Sequence, residues 1–125
     1  MIVGIGVDVV DLVRFQEQLA KTPALVERLF HPVERDNAPL QLAGSFAAKE
    51  ALVKALGGPT GLNWHELSVV RDTNGQPWLH AQGGSAERLA QAGVAKTHLS
   101  ISHDGGMLVA YVIAESDPNS VAGAA

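Results

Sequence analysis

Cysteine is absent from this chain, so neither a disulfide framework nor a thiolate metal site can contribute to it, and no redox compartment can be read from it. Aromatic residues make up only 5% of the sequence and form no ladder. Nine Lys and Arg against thirteen Asp and Glu leave a formal charge of −4 without any basic run, which argues against a general nucleic-acid binder. An anionic ligand would need a local basic pocket. No apolar run approaches the length of a membrane span, and the N-terminal stretch Ile2 to Val10 has no preceding basic region and carries Asp8, so it does not read as a signal peptide. A soluble cytoplasmic protein is the expectation. With 125 residues the chain holds one domain with a genuine core but no room for separate cofactor and substrate domains, which points to a shallow cleft or a subunit interface.

What is present is acid in apolar surroundings. Asp8 interrupts the strand-like GIGVDVVDL (Gly4 to Leu12), and Glu50 and Lys54 stand four residues apart in FAAKEALVKALG (Phe46 to Gly57). At 100° per residue Glu50 and Lys54 are flanked by Phe46, Ala47, Ala51 and Val53, so they form no separate polar face. Taken singly, each has an ordinary explanation: a Glu-to-Lys surface pair worth a few tenths of a kcal/mol, and a strand-end carboxylate bonded to backbone amides. Together, two buried carboxylates and an ammonium need a partner, since an unpaired buried carboxylate costs several kcal/mol. Two hard oxygen ligands without cysteine suit Mg²⁺ better than Zn²⁺, and Mg²⁺ completes its shell with water and phosphate. Phosphate chemistry is the leading hypothesis.

Residues Ile2 to Val10 alternate as a strand, with Val3, Ile5, Val7 and Val9 on one face and Asp8 on the other, the face that Gly4 and Gly6 leave open. Asp11 caps a helix to about Ala20, and Thr22-Pro23 has the cap pattern for a second helix ending near Phe30. Pro39 opens a long helix to Leu56, stopped by Gly57-Gly58-Pro59. Leu67 to Asp72 and Pro77 to Ala81 flank Asn74-Gly75 as a hairpin, followed by a short helix from Ser85 to Ala92. A second hairpin pairs His98 to His103 with Met107 to Glu115, whose apolar character makes it a central strand. Residues 116–125 read as a frayed tail.

The five histidines form neither HxH nor HExxH, so a zinc site is not expected. His103, ending the strand HLSIS before Asp104-Gly105-Gly106, sits where it can contact phosphate or act as a base, or simply be solvated; Ser100 and Ser102 lie on the opposite strand face. Arg14, Gln18 and Lys21 form one polar stripe opposite Phe15 and Leu19, either a solvated helix face or a dock for an acidic partner.

In order and spacing, GIGVDVVDL, FAAKEALVKALG and LSISHD resemble the holo-acyl-carrier-protein synthases, bacterial 4′-phosphopantetheinyl transferases, over residues 1–115. The motif KEAxxKA stands here as Lys49 to Ala55. The resemblance implies a single α+β domain, an antiparallel sheet packed on a long helix, assembling as a homotrimer with coenzyme A in clefts between subunits. It implies that Asp8 and Glu50 bind Mg²⁺ and that Asp8, Glu50 and Lys54 are catalytic. Lys54, Gly57, Pro77 and His103 would contact coenzyme A, and Arg14 and Gln18 would dock the acyl carrier protein. The implied reaction serves fatty acid biosynthesis: a carrier serine attacks the β-phosphate of coenzyme A, takes phosphopantetheine and releases adenosine 3′,5′-bisphosphate, its proton passing to a metal-associated water or a nearby carboxylate. One position departs from the pattern: Ser45 precedes Phe46 where the family commonly has arginine, and a serine supplies a hydrogen bond but no charge. The competing expectations are a magnesium-dependent phosphohydrolase using the same acid pair on water, and a non-enzymatic module docking an acidic protein.

Overall fold

The computed structural model describes residues 1–119. The alternating N-terminal segment forms strand β1 (Ile2–Asp11), and the Asp11 carboxylate then caps helix α1 (Leu12–Lys21) by accepting from the Arg14 amide at 3.0 Å. Helix α2 (Leu25–Leu29) starts later than the Thr22-Pro23 pattern suggests. The chain first makes turns in which the Thr22 and Pro23 carbonyls accept from the amides of Leu25 and Val26, so Ala24 occupies the cap position and no side chain caps the helix. A short 3-10 turn (Pro32–Glu34) leads to helix α3 (Pro39–Ala55), opened by its proline as expected.

Strands β2 (Leu67–Arg71) and β3 (Pro77–Ala81) form the first hairpin. The Asp72 carboxylate organises its turn, accepting from the amides of Asn74 and Gln76 at 2.9 and 3.0 Å. Helix α4 (Gly83–Gln91) begins two residues before Ser85, because Glu66, remote in sequence, supplies its cap. Glu66 accepts from the amides of Gly84 and Ser85 at 3.2 and 3.0 Å and from the Ser85 hydroxyl at 2.9 Å. Strands β4 (Lys96–Asp104) and β5 (Met107–Glu115) complete the fold, joined by Gly105 and Gly106 at φ +57° and +80°, values that a two-residue hairpin turn requires.

The main sheet has antiparallel order β1-β5-β4, so the apolar last strand is central as its composition implies, and β2-β3 forms a separate ribbon. Helix α3 lies across the inner face of the main sheet. Its Ala47, Ala48, Ala51 and Leu52 are fully buried, as are Ala110, Val112 and Ala114 of β5. The outer face is apolar and bare: Val3, Ile5, Val7 and Val9 of β1 and Met107 and Tyr111 of β5 are all exposed. Residues 116–119 continue from β5, with the Ser116 amide donating to the Met1 carbonyl at 2.8 Å; the rest of the expected tail lies outside the described residues.

One expectation is corrected here. Gly4 and Gly6 do not leave an open space beside Asp8; they let the backbone of α3 approach. A Cβ on Gly4 would fall 1.9 Å from the Ala55 carbonyl oxygen, and one on Gly6 would fall 1.8 Å from that of Ala51. No side chain can yield at either place, because the obstacle is helix backbone. Gly6→Ala is therefore expected to destabilise the protein by about 3 kcal/mol or more, the scale of a severe overpacking defect, whereas Gly57→Ala, with nothing within 4 Å of the added carbon, costs only its left-handed backbone conformation. Urea denaturation of the two variants measures the difference.

Candidate functional site

Asp8 lies opposite Ala110 in the β1–β5 register, which puts its side chain on the helix-covered face with Gly6 and Val10. Glu50 and Lys54, one turn apart on α3, meet it there. The Lys54 ammonium donates to Asp8 Oδ1 at 3.0 Å and to the Val7 carbonyl at 3.0 Å. It makes no ion pair with Glu50, so the ordinary surface pair suggested by their spacing is not formed among the described residues. The Asp8 side chain is 14% exposed and that of Lys54 52%, which sets the cluster at the mouth of the helix–sheet junction. Full burial of the two acids, expected from their apolar context, is thus not observed: both keep part of their surface accessible.

Burial raises the Glu50 pKa, the negative charge of Asp8 adds to the rise, and Lys54 opposes it. Two carboxylates here share one ammonium, and a cation between them would relieve the strain on Glu50. No group of three or more His, Asp or Glu suited to a metal occurs among the described residues. The donor set is two hard oxygens, which fits Mg²⁺ with its remaining positions left to water and phosphate. Gly57, just beyond the helix, donates its amide to the Lys54 carbonyl and belongs to this flank.

The other flank of α3 is different. A polar cleft of about 540 Å³ is lined by Asn37, Gln41, Ser45, Arg71 and His103. Gly44 brings the helix close to Ile101 of β4, and Ser45 is buried at the cleft wall. His103 is exposed at the end of β4, in register with Leu108. Pro77 is paired with Arg71, whose guanidinium donates to the Gly75 carbonyl at 2.9 Å, so the hairpin turn borders the same cleft. Within one chain the central strand β5 separates His103 on β4 from Asp8 on β1, and the cleft that His103 lines includes none of Asp8, Glu50, Lys54 and Gly57.

Arg71 is the residue that sequence reasoning missed. Its only signal is its place immediately before the Asp72 turn, which becomes informative once β2 is seen to end in the cleft that Ser45 lines. Lys49, the other cation near this motif, is fully buried against Glu34 and reaches neither flank. On α1, Arg14, Gln18 and Lys21 are exposed, and their side chains make no hydrogen bond among the described residues, leaving the stripe free.

A profile of the 4′-phosphopantetheinyl transferase superfamily matches residues 4–113. The chain is 52% identical over 117 residues to a holo-[acyl-carrier-protein] synthase of Clavibacter michiganensis, covering 94% of this chain and 98% of that protein. It is likewise 52% identical over 120 residues to one from Kocuria rhizophila, covering 96% and 98%. Among solved structures, the holo-[acyl-carrier-protein] synthase of Neisseria meningitidis superposes with a TM-score of 0.85 at 30% identity, covering 93% of this chain and 100% of that one. The Bacillus anthracis synthase in complex with coenzyme A (3′,5′-ADP) gives 0.75 at 34%, covering 94% and 99%.

The raised Glu50 pKa fixes the sign of a stability effect. Because folding favours the protonated form, the metal-free protein loses stability as pH rises above the ordinary carboxylate value of 4.5, until pH passes the raised value; above that the penalty is constant. Glu50→Gln removes it. In chelator, this variant is expected to have a higher urea midpoint than the parent at pH 7 and an equal one near pH 4. A gain of equal size at both pH values would contradict the electrostatic origin.

Proposed function

The chain belongs to the 4′-phosphopantetheinyl transferase superfamily and transfers 4′-phosphopantetheine from coenzyme A to an acyl carrier protein; on that premise we propose that Asp8 and Glu50 hold Mg²⁺ and that Lys54 completes the reaction centre. The observation that carries this reading is the convergence of the two carboxylates and the ammonium at one mouth of the helix–sheet junction. When bound, the ion supplies charge neutralisation on the pyrophosphate. Asp8 and Glu50 keep the negative charge that retains it. Lys54, half-exposed on a flexible stem, turns from Asp8 toward the α-phosphate, where charge develops as the bond to the bridging oxygen breaks and adenosine 3′,5′-bisphosphate departs. The carrier serine forms the new bond to the β-phosphorus, and its hydroxyl proton would pass to water or to a nearby carboxylate.

The complete site is proposed to lie between subunits of a homotrimer. The bare apolar outer face of β1 and β5 supports association, since contiguous exposed apolar surface marks an interface. The separation of the flanks supports it too: Asp8, Glu50, Lys54 and Gly57 of one subunit would face Pro77 and His103 of the partner subunit across coenzyme A. The exposed Arg14 and Gln18 of α1 are proposed to dock the carrier, an acidic protein, in the cytoplasm during fatty acid synthesis. No helix among the described residues is long and apolar enough to cross a membrane.

The decisive assay is the mass gain of one phosphopantetheine on an apo-carrier incubated with coenzyme A and Mg²⁺. Glu50→Gln is expected to fold but to lose turnover by more than about a hundredfold, as for loss of a metal-ion catalyst. Full turnover at low millimolar Mg²⁺ would remove Glu50 from the metal site, and phosphate release without carrier modification would favour a phosphohydrolase.

Arg14→Ala is expected to raise the KM for carrier more than that for coenzyme A, with an effect that shrinks as salt rises. Equal losses for both substrates would place the arginine elsewhere.

With serine at position 45, Arg71 is the cation left in the polar cleft to meet the 3′-phosphate. Arg71→Ala should weaken coenzyme A by about 1 to 3 kcal/mol, the size of a lost charge-assisted hydrogen bond, and dephospho-coenzyme A much less. Ser45→Arg should reverse the loss. Calorimetric titration with the two ligands separates the outcomes, because they differ only in that phosphate.

A further inference from the structure

Helix α3 carries a second ion pair that the reaction centre does not use. Lys49 is fully buried and Glu34 is 1% exposed. The Lys49 ammonium donates to Glu34 Oε1 at 2.6 Å and to the Leu29 carbonyl at 2.9 Å, and it lies 5.1 Å from the centroid of the Phe30 ring. Glu34 Oε1 also accepts from the His31 amide at 3.1 Å, and Oε2 accepts from the Val69 amide at 2.9 Å. These bonds join the end of α2, the 3-10 turn, β2 and α3.

Stability alone does not explain this arrangement. A buried ion pair is often no more stabilising than apolar side chains of similar volume. What it supplies is direction. Where α3 meets β1 the contact is helix backbone at Ala51 and Ala55 against Gly4 and Gly6, with no interlocking side chain at those two points to fix the rotation of the helix about its axis; Leu42 and Leu52 are its large buried apolar side chains. The Lys49 bonds have fixed geometry. Because Glu50 follows Lys49 at about 100° around the helix, holding Lys49 toward Glu34 holds Glu50 toward Asp8.

We propose that Lys49 and Glu34 are positioning residues for the metal-binding carboxylate, setting the rotation of α3 at which Glu50 and Asp8 face one cation. This rests on the metal reading above. The test is Mn²⁺ binding to the full chain, followed by electron paramagnetic resonance, beside the Mg²⁺ dependence of turnover. In the double variant Lys49→Met/Glu34→Gln, which removes both charges and keeps an acceptor for a backbone amide, the melting temperature is expected to stay close to that of the parent. Mn²⁺ affinity should fall about tenfold, the lower end of the range for residues that orient a ligand from behind, and the Mg²⁺ concentration for half-maximal turnover should rise in parallel. A folded variant with parental Mn²⁺ affinity would overturn the proposal. Should the double variant not fold, Glu34→Asp, which keeps both charges but withdraws the carboxylate by one carbon, should still weaken Mn²⁺ at least severalfold, and unchanged binding would again overturn it. A parent chain that binds no Mn²⁺ would instead overturn the metal reading, and the positioning role with it.

Discussion

Everything in the molecule hangs on how closely α3 lies on the backbone of β1. The carbonyls of Ala51 and Ala55 occupy the volume where Gly4 and Gly6 would otherwise carry a Cβ, and no bulkier pair of residues permits that approach. With the helix so low, Lys54 reaches both the Asp8 carboxylate and the Val7 carbonyl, and Glu50 is drawn into the partly desolvated, anionic setting that raises its pKa. The glycines thus act on the chemistry at one remove. They set the depth of the helix, and the depth brings three charged groups to one point.

Depth does not set rotation, and here the two halves of the KEAxxKA motif divide the work. Glu50 and Lys54 face Asp8, at the proposed reaction centre. Lys49 turns inward to a carboxylate that also accepts from two backbone amides. Desolvation lowers the Lys49 pKa while the bond and charge of Glu34 hold it up, the balance expected of an ammonium kept buried by its partner. A motif that reads as a row of charges along a helix is thus one buried, internally paired cation followed by two groups of the proposed site.

Much of this was legible in the sequence. Strand alternation in Ile2 to Val10, Pro39 as a helix start, the Asn74-Gly75 and Gly105-Gly106 turns and the apolar last strand each carry a local signal, and each element stands where its signal puts it. The convergence of Asp8 with Glu50 and Lys54 was legible as well, because acids in apolar segments demand a partner. Effects that depend on distant segments were not. Glu66 starts α4 from seventeen residues before its first turn, counting to Gly83. Backbone turns displaced the start of α2, and the role of the glycines was reversed, since an open face and a face filled by another backbone look alike in one dimension. Arg71 was invisible for the same reason: nothing near it in sequence announces Ser45 or His103.

The division of the charged groups by β5 leads to the central claim, that neither flank alone is a site and that a whole one forms only where two subunits meet. Complementation between inactive variants tests it most directly. Asp8→Asn and His103→Ala chains, each expected to be inactive or nearly so, would be unfolded together, refolded as mixed oligomers, and assayed for carrier modification. An interfacial site predicts that activity well above either parent returns, because some interfaces pair an intact Asp8 flank with an intact His103 flank. Mixed oligomers no more active than the two variants refolded separately would mean that one chain supplies both flanks, and would contradict it.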